Sequence, residues 1–108
     1  MTAKTSAYKD FTPIMGVWRV THLPSGRSLL GAAEHAQGRL NRTRFQLDAG
    51  VHPNKTLQQD WSSTTPEDFV FEIVDELQIQ AGQDVEADLA ELLALWLEKL
   101  ALPAEKLY

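Results

Sequence analysis

Residues 16–31 read GVWRVTHLPSGRSLLG, and this stretch decides the fold of the chain. An apolar run rich in β-branched residues occupies positions 14–23, a Pro-Ser-Gly turn follows at 24–26, and a second apolar run occupies 28–32. β-Branched residues favour strands, and Pro and Gly favour the tight turns between them. The stretch therefore predicts a β-hairpin.

Residues 33–47 have a helical period instead. The residues that recur every three or four positions are Ala36, Leu40, Thr43 and Leu47. This spacing places them on one face of a helix. We expect Glu34 in the first turn of this helix and Gly50 just beyond its end, because glycine readily adopts the left-handed conformation that terminates helices.

The rest of the chain predicts a short helix, a strand and a long helix. Pro53-Asn54 gives a break and an N-cap for a short helix that reaches Trp61, and residues 65–68 mark a turn or a single helical turn. Residues 69–77 alternate like a strand with one buried face. Residues 84–100 have the strongest helical pattern, with an apolar stripe formed by Val85, Leu89, Leu92, Leu93, Trp96 and Leu100. The predicted fold class is α+β, in the order β-β-α-α-β-α.

The composition predicts one compact domain. The chain has 108 residues, 44% of them hydrophobic, and no cysteine, which excludes disulfides and thiolate metal sites. No apolar segment is long enough for a secretory signal or a bilayer span, so we expect a cytoplasmic protein without membrane contact. We divide it into an N-terminal extension at 1–13, a domain at 14–101 and a C-terminal tail at 102–108.

The charge is unevenly distributed. Residues 1–59 carry eight Lys/Arg and three acidic residues, whereas residues 60–108 carry two lysines and twelve acidic residues. The net charges are +5 and −10, which add up to the net charge of −5 of the whole chain. Basic side chains gathered on one face would bind phosphates weakly, and a solvated surface of mixed charge explains the pattern equally well.

Several segments together resemble the GIY-YIG nuclease superfamily, in particular its small bacterial members. The first three are Gly16-Val17-Trp18-Arg19-Val20-Thr21, Gly26-Arg27-Ser28-Leu29-Leu30-Gly31 and Gly38-Arg39-Leu40-Asn41. Further segments at 52–61, 68–77 and 95–100 extend the resemblance over nearly the whole chain. It implies a small three-stranded antiparallel sheet flanked by helices, in agreement with the element order above.

The resemblance also implies a chemistry, and most of its side chains are replaced. These nucleases use two tyrosines, an arginine on the first helix, and a glutamate on the last helix that holds one divalent metal ion. Trp18 and Leu29 occupy the tyrosine positions, and counting back three residues from Trp96 places Leu93 at the glutamate position. An indole has no lone pair to accept a proton, and leucine has no polar atom. Of these catalytic positions, only Arg39 keeps the family residue.

No other side chains form a predicted metal site. Glu91 lies two residues before Leu93, about 200° around an α-helix, and Glu98 belongs to the same acidic stripe. The histidines lack the spacing of metal ligands and are expected at the surface or in turns: His22, His35 and His52. We therefore predict no cofactor, and Mg²⁺ or Mn²⁺ only if the domain is an active nuclease.

Three functional hypotheses follow. The preferred one is a GIY-YIG-type domain without nuclease activity that binds DNA or RNA weakly or regulates another molecule. The others are an active metal-dependent DNA endonuclease with substituted residues, and an interaction domain for a protein partner. The predicted nucleic-acid contacts are Arg27, Arg39, Arg42, Arg44 and Lys55.

Overall fold

The computed structural model describes residues 13–108, so the predicted N-terminal extension lies outside the described residues except for Pro13. Three antiparallel strands form one sheet in the order β2-β1-β3: β1 is Gly16–His22, β2 is Ser28–Ala33 and β3 is Phe69–Glu76. The helices are α1 (Ala36–Ala49), α2 (Lys55–Ser63) and α3 (Val85–Leu100), with 3₁₀ turns at Pro66–Asp68 and Ala104–Lys106. The predicted α+β fold and element order are confirmed.

The core lies between one face of the sheet and helices α1 and α2. Because side chains alternate along a strand, Trp18 and Val20 of β1 share this face, where Trp18 pairs with Gly31 of β2 and with Ile73 of β3. The residues buried with them are Ala36, Leu40, Leu47, Leu57, Trp61 and Phe69. The sequence predicts a strand with one buried face at residues 69–77, and the burial of Phe69 in this core confirms it.

Helix α1 begins later than predicted. Strand β2 extends to Ala33, which pairs with Gly16, so the chain is still in the sheet where the sequence predicts the first helical residue. Glu34 consequently lies in the connection before α1 and not in its first turn, and that expectation is wrong. The predicted end is confirmed, since Gly50 has φ 76° and caps the helix in the left-handed conformation.

Side-chain caps fix the starts of the other two helices. The Asn54 side chain accepts a hydrogen bond from the Leu57 backbone N–H at 3.1 Å, which confirms the predicted N-cap. The Asp84 side chain accepts one from the Ala87 backbone N–H at 3.1 Å. Both caps satisfy backbone donors that the first helical turn leaves unpaired.

Helix α3 packs against β1 and β2 less completely than α1 does. Of its residues only Leu89 is buried, while Leu93 and Trp96 of its apolar stripe are half-buried. The Trp96 indole Nε1–H donates a 2.9 Å hydrogen bond to the Asp75 carboxylate and so ties the helix to β3. No helix within residues 13–108 has the length and apolar character needed to cross a membrane.

A partly buried polar cluster joins the hairpin, α2 and the C-terminal tail. His22 is 4% exposed, contrary to the expected surface or turn position, because it continues the core-facing alternation of β1. Its Nδ1 lies 2.8 Å from the Ser25 hydroxyl and 3.7 Å from an Asp60 carboxylate oxygen. The same Asp60 oxygen accepts hydrogen bonds from Arg27, at 3.1 Å, and from the Tyr108 hydroxyl.

The Tyr108 hydrogen bond predicts an alkaline loss of stability. Burial, and then the hydrogen bond to Asp60, raise the pKa of Tyr108 well above its usual value. The folded chain thus holds the phenol proton more tightly than the unfolded chain, so this stabilisation is complete below about pH 10 and is lost as the pH rises further. We expect Tyr108→Phe to lower the free energy of unfolding by about 1–2 kcal/mol at neutral pH. Above about pH 10 its stability should fall less steeply than that of the wild type. Urea unfolding across this range checks both effects, and parallel pH profiles would contradict them.

Candidate functional site

A cavity of about 240 Å³ lies between α1 and the β1–β2 hairpin. Its lining residues are Trp18 of β1, Leu29 of β2, Arg39, Arg42, Thr43 and Gln46 of α1, and His52 and Pro53 of the connection to α2. The four α1 residues follow the i, i+3, i+4, i+7 spacing that forms one stripe along a helix. The structure thus gathers Trp18, Leu29 and Arg39, which the sequence analysis assigned to one site.

The buried indole of Trp18 forms the inner wall of this cavity. Trp18 is 5% exposed and packs over Gly31, where an added Cβ would lie only 2.7 Å from the indole Cε2. The Arg39 guanidinium carbon lies 5.8 Å from the centre of the indole ring, within the range of a cation–π contact. The indole Nε1–H is buried and has no hydrogen-bond acceptor within residues 13–108. Trp18, which the resemblance aligns with the first tyrosine, therefore presents an aromatic ring to a cation and offers no proton acceptor of its own.

The cavity is rich in hydrogen-bond donors and contains no carboxylate among its described lining residues. Burial lowers the pKa of His52 below its ordinary value, so the ring is neutral at pH 7. Its Nδ1 accepts a 3.0 Å hydrogen bond from the backbone N–H of Asn54, which assigns the ring proton to Nε2. The positive charge at pH 7 comes from Arg39 and Arg42. Such a set of donors is suited to an anion.

The same donor set does not fit a divalent metal ion. Mg²⁺ and Mn²⁺ take oxygen ligands, mainly carboxylates. Leu93 lies in a separate depression beside Ala33 and Glu34, and Glu91 and Glu98 are exposed on α3. Across residues 13–108, no group of three or more histidine, aspartate or glutamate side chains is placed to hold a metal ion.

The other basic residues predicted as nucleic-acid contacts lie outside this cavity. Arg27 forms an ion pair with Asp60, with 3.1 Å between nitrogen and oxygen. The Arg44 guanidinium lies 5.7 Å from the ring centres of both Trp61 and Phe71. Lys55 is exposed at the first residue of α2. Of the five predicted basic residues, the cavity brings together Arg39 and Arg42.

Sequence reasoning missed the contributions of Gln46, His52 and Pro53 to the cavity. Gln46 could have been found from the helical stripe, because it lies seven residues after Arg39. His52 and Pro53 left no such signal in the sequence. Their position depends on the path of the chain after the Gly50 cap, which turns the connection back towards α1.

Comparison with known proteins identifies the fold. No protein-family model and no curated protein matches the sequence. Among solved structures, an alanine variant of the catalytic domain of intron endonuclease I-TevI matches with a TM-score of 0.64 at 18% identity, over 82% of this chain and 84% of that chain. The catalytic domain of homing endonuclease I-TevI matches with a TM-score of 0.63 at 17% identity, over 81% of this chain and 88% of that chain. These likenesses concern the fold alone: the chain shares the fold of the I-TevI catalytic domain, which agrees with the fold that the GIY-YIG resemblance implies.

Proposed function

We propose that this domain binds the phosphate backbone of nucleic acid at the Arg39–Arg42 cavity and does not hydrolyse it. The observation that carries the proposal is the make-up of the cavity, in which two arginines stand beside a buried indole and an aliphatic side chain. Arginine donates paired hydrogen bonds to phosphate oxygens, so the binding function needs no further group.

Hydrolysis needs a proton acceptor, and the described lining residues of this cavity offer none in a suitable state. The attacking water must lose a proton to a base, and the developing charge must be neutralised. The Trp18 indole has no lone pair available for a proton, and Leu29 offers only carbon atoms. His52 can accept a proton in principle, but its Nδ1 is occupied by the backbone N–H of Asn54 and its Nε2 carries the ring proton. The domain is therefore expected to bind phosphate without cleaving the phosphodiester bond.

The charge distribution implies weak and salt-dependent binding. The chain has a net charge of −5, and residues 60–108 contribute −10 of it. Like charge repels a polyanion at long range, so the attraction depends on local contacts at the cavity. Few phosphate contacts also give a shallow dependence of affinity on salt. DNA and RNA are equally suited to such contacts, since both carry the same phosphate.

Two measurements on the purified protein test this function. Fluorescence anisotropy with labelled DNA and RNA oligonucleotides at low salt should give saturable binding that weakens as salt is added. Plasmid incubation with Mg²⁺ or Mn²⁺ should leave the DNA supercoiled. Nicking that disappears in Arg39→Ala would identify an active endonuclease instead. Failure to bind any oligonucleotide would contradict the proposal and favour a protein partner.

A further inference from the structure

Phe45 is the most exposed aromatic side chain in the described part of the chain. It is 73% exposed on α1, whereas Trp18, Trp61 and Phe69 are buried. A single exposed apolar residue is common on protein surfaces and has no meaning by itself. The charged residues beside Phe45 on α1 are the reason to assign it a binding role.

Phe45 stands next to the cationic edge of the cavity. Arg42 precedes it by three residues, which places the two side chains about 60° apart around α1 and on adjacent turns. Arg42 itself lines the cavity and is exposed, so it lies between the cavity and Phe45. On the other side of Phe45 is Asp48, an exposed acidic residue three positions later. The ring therefore borders a cation on the cavity side and an anion on the side away from it.

We propose that Phe45 stacks on an unpaired base of a single-stranded nucleic acid whose phosphates are bound by Arg39 and Arg42. The inference rests on the proposed function and specifies its ligand class. Aromatic rings stack on every base, because every base has a π face, and charge complementarity at the two arginines orients the strand. In a duplex the base faces are covered by their neighbours, and a ring can reach them only if a base step is first unstacked at a cost of about a few kcal/mol. An exposed ring at the rim therefore favours single strands, whose bases are already open. The exposed ring thus converts a general phosphate site into one selective for single strands.

Binding measurements with three ligands test this proposal: oligothymidylate, oligouridylate and a DNA duplex of the same length. The wild type should bind the single strands more tightly than the duplex. Phe45→Ala should weaken single-strand binding about 10-fold and leave duplex binding unchanged. Phe45→Leu should lose as much as Phe45→Ala, because leucine keeps apolar bulk but has no π face, whereas Phe45→Trp should retain the affinity. Val51→Ala is the matched control, since Val51 is an apolar side chain that is 65% exposed nearby in sequence and should not matter.

Oligothymidylate and oligouridylate are compared to identify whether Phe45 binds single-stranded DNA, single-stranded RNA or both. Phe45 contacts each strand for which Phe45→Ala has a lower affinity than the wild type. The proposal is overturned if Phe45→Leu binds single strands like the wild type, or if single strands and duplex bind alike with no effect of Phe45→Ala. It is also overturned if sedimentation velocity detects a dimer that Phe45→Ala dissociates without a change in affinity for oligonucleotides. Arg39→Ala distinguishes the two levels of inference. If this variant weakens binding of all three ligands while Phe45 has no effect, phosphate binding stands and base stacking fails.

Discussion

Replacing both Arg39 and Arg42 by alanine is expected to remove most of the affinity for nucleic acid. Both side chains line the donor-rich cavity, and no described carboxylate there competes for them. A hydrogen bond to a charged group contributes about 1.5–3 kcal/mol, so each arginine should account for roughly a 10- to 100-fold change in affinity. Each lost phosphate contact should also reduce the slope of log affinity against log salt by about one, or about two for the double variant. Anisotropy titrations at several salt concentrations measure both quantities.

The control must change the charge equally without touching the cavity. Arg44→Ala combined with Lys99→Ala meets this requirement. Arg44 lies two residues after Arg42 and therefore about 200° around α1, over Trp61 and Phe71, while Lys99 lies over Trp96 on α3. If affinity depends on net charge alone, both double variants will lose it equally, and the cavity is then not the binding site. A selective loss in the Arg39 and Arg42 variant supports the site.

Much of this fold could be predicted because its signals are local. The hairpin turn, the Asn54 cap and the Gly50 stop each depend on a few neighbouring residues, and the structure confirms all three. The start of α1 could not be predicted so well, because β2 is extended to Ala33 by pairing with Gly16, a partner seventeen residues away. The burial of His22 is a related case. Its side chain follows the alternation of β1, but its polar partner Asp60 comes from α2.

The candidate site was only partly predictable for the same reason. Trp18, Leu29 and Arg39 come together as the resemblance implied, because hairpin register and helix position are fixed by the fold. The five basic residues, however, were grouped by their charge. Charge alone does not determine on which face of the fold a side chain lies or which residues it contacts. Arg27 is paired with Asp60, and Arg44 lies on aromatic rings, so each meets a partner that is remote in sequence. The assignment of Leu93 to the glutamate position remains a prediction from spacing.

Gly16 is one of the residues that carry the GIY-YIG resemblance, and it has a structural role in this chain. It begins the central strand and pairs with Ala33 of β2 and Glu76 of β3. A Cβ at Gly16 would overlap the backbone carbonyl oxygen of Asp75 and lie 3.0 Å from the Cα of Glu76. The register of the β1–β3 pair shifts close to this point, between Val17 and the next residue. The glycine is thus required by the close approach of two backbones.

Gly16→Ala is accordingly expected to destabilise the domain severely. The obstacle is backbone held by pairing on both sides, so it cannot rotate away as a side chain would. Overpacking usually costs about 1–3 kcal/mol, and we expect the upper end or more. For a domain of this size, that lowers the midpoint of thermal unfolding by roughly 10–20 °C. Circular dichroism melts measure the change.

Gly38→Ala provides the matched control, because it adds the same methyl group at a position that can adjust. A Cβ there would meet the exposed His35 ring, 2.8 Å from its Nδ1, and this ring can turn towards solvent. Alanine also favours helix over glycine by about 1 kcal/mol. We therefore expect Gly38→Ala to melt at or above the wild-type temperature. If Gly16→Ala also melts near the wild-type temperature, the β1–β3 backbones are not as closely spaced as described, and the glycine must be explained by another role.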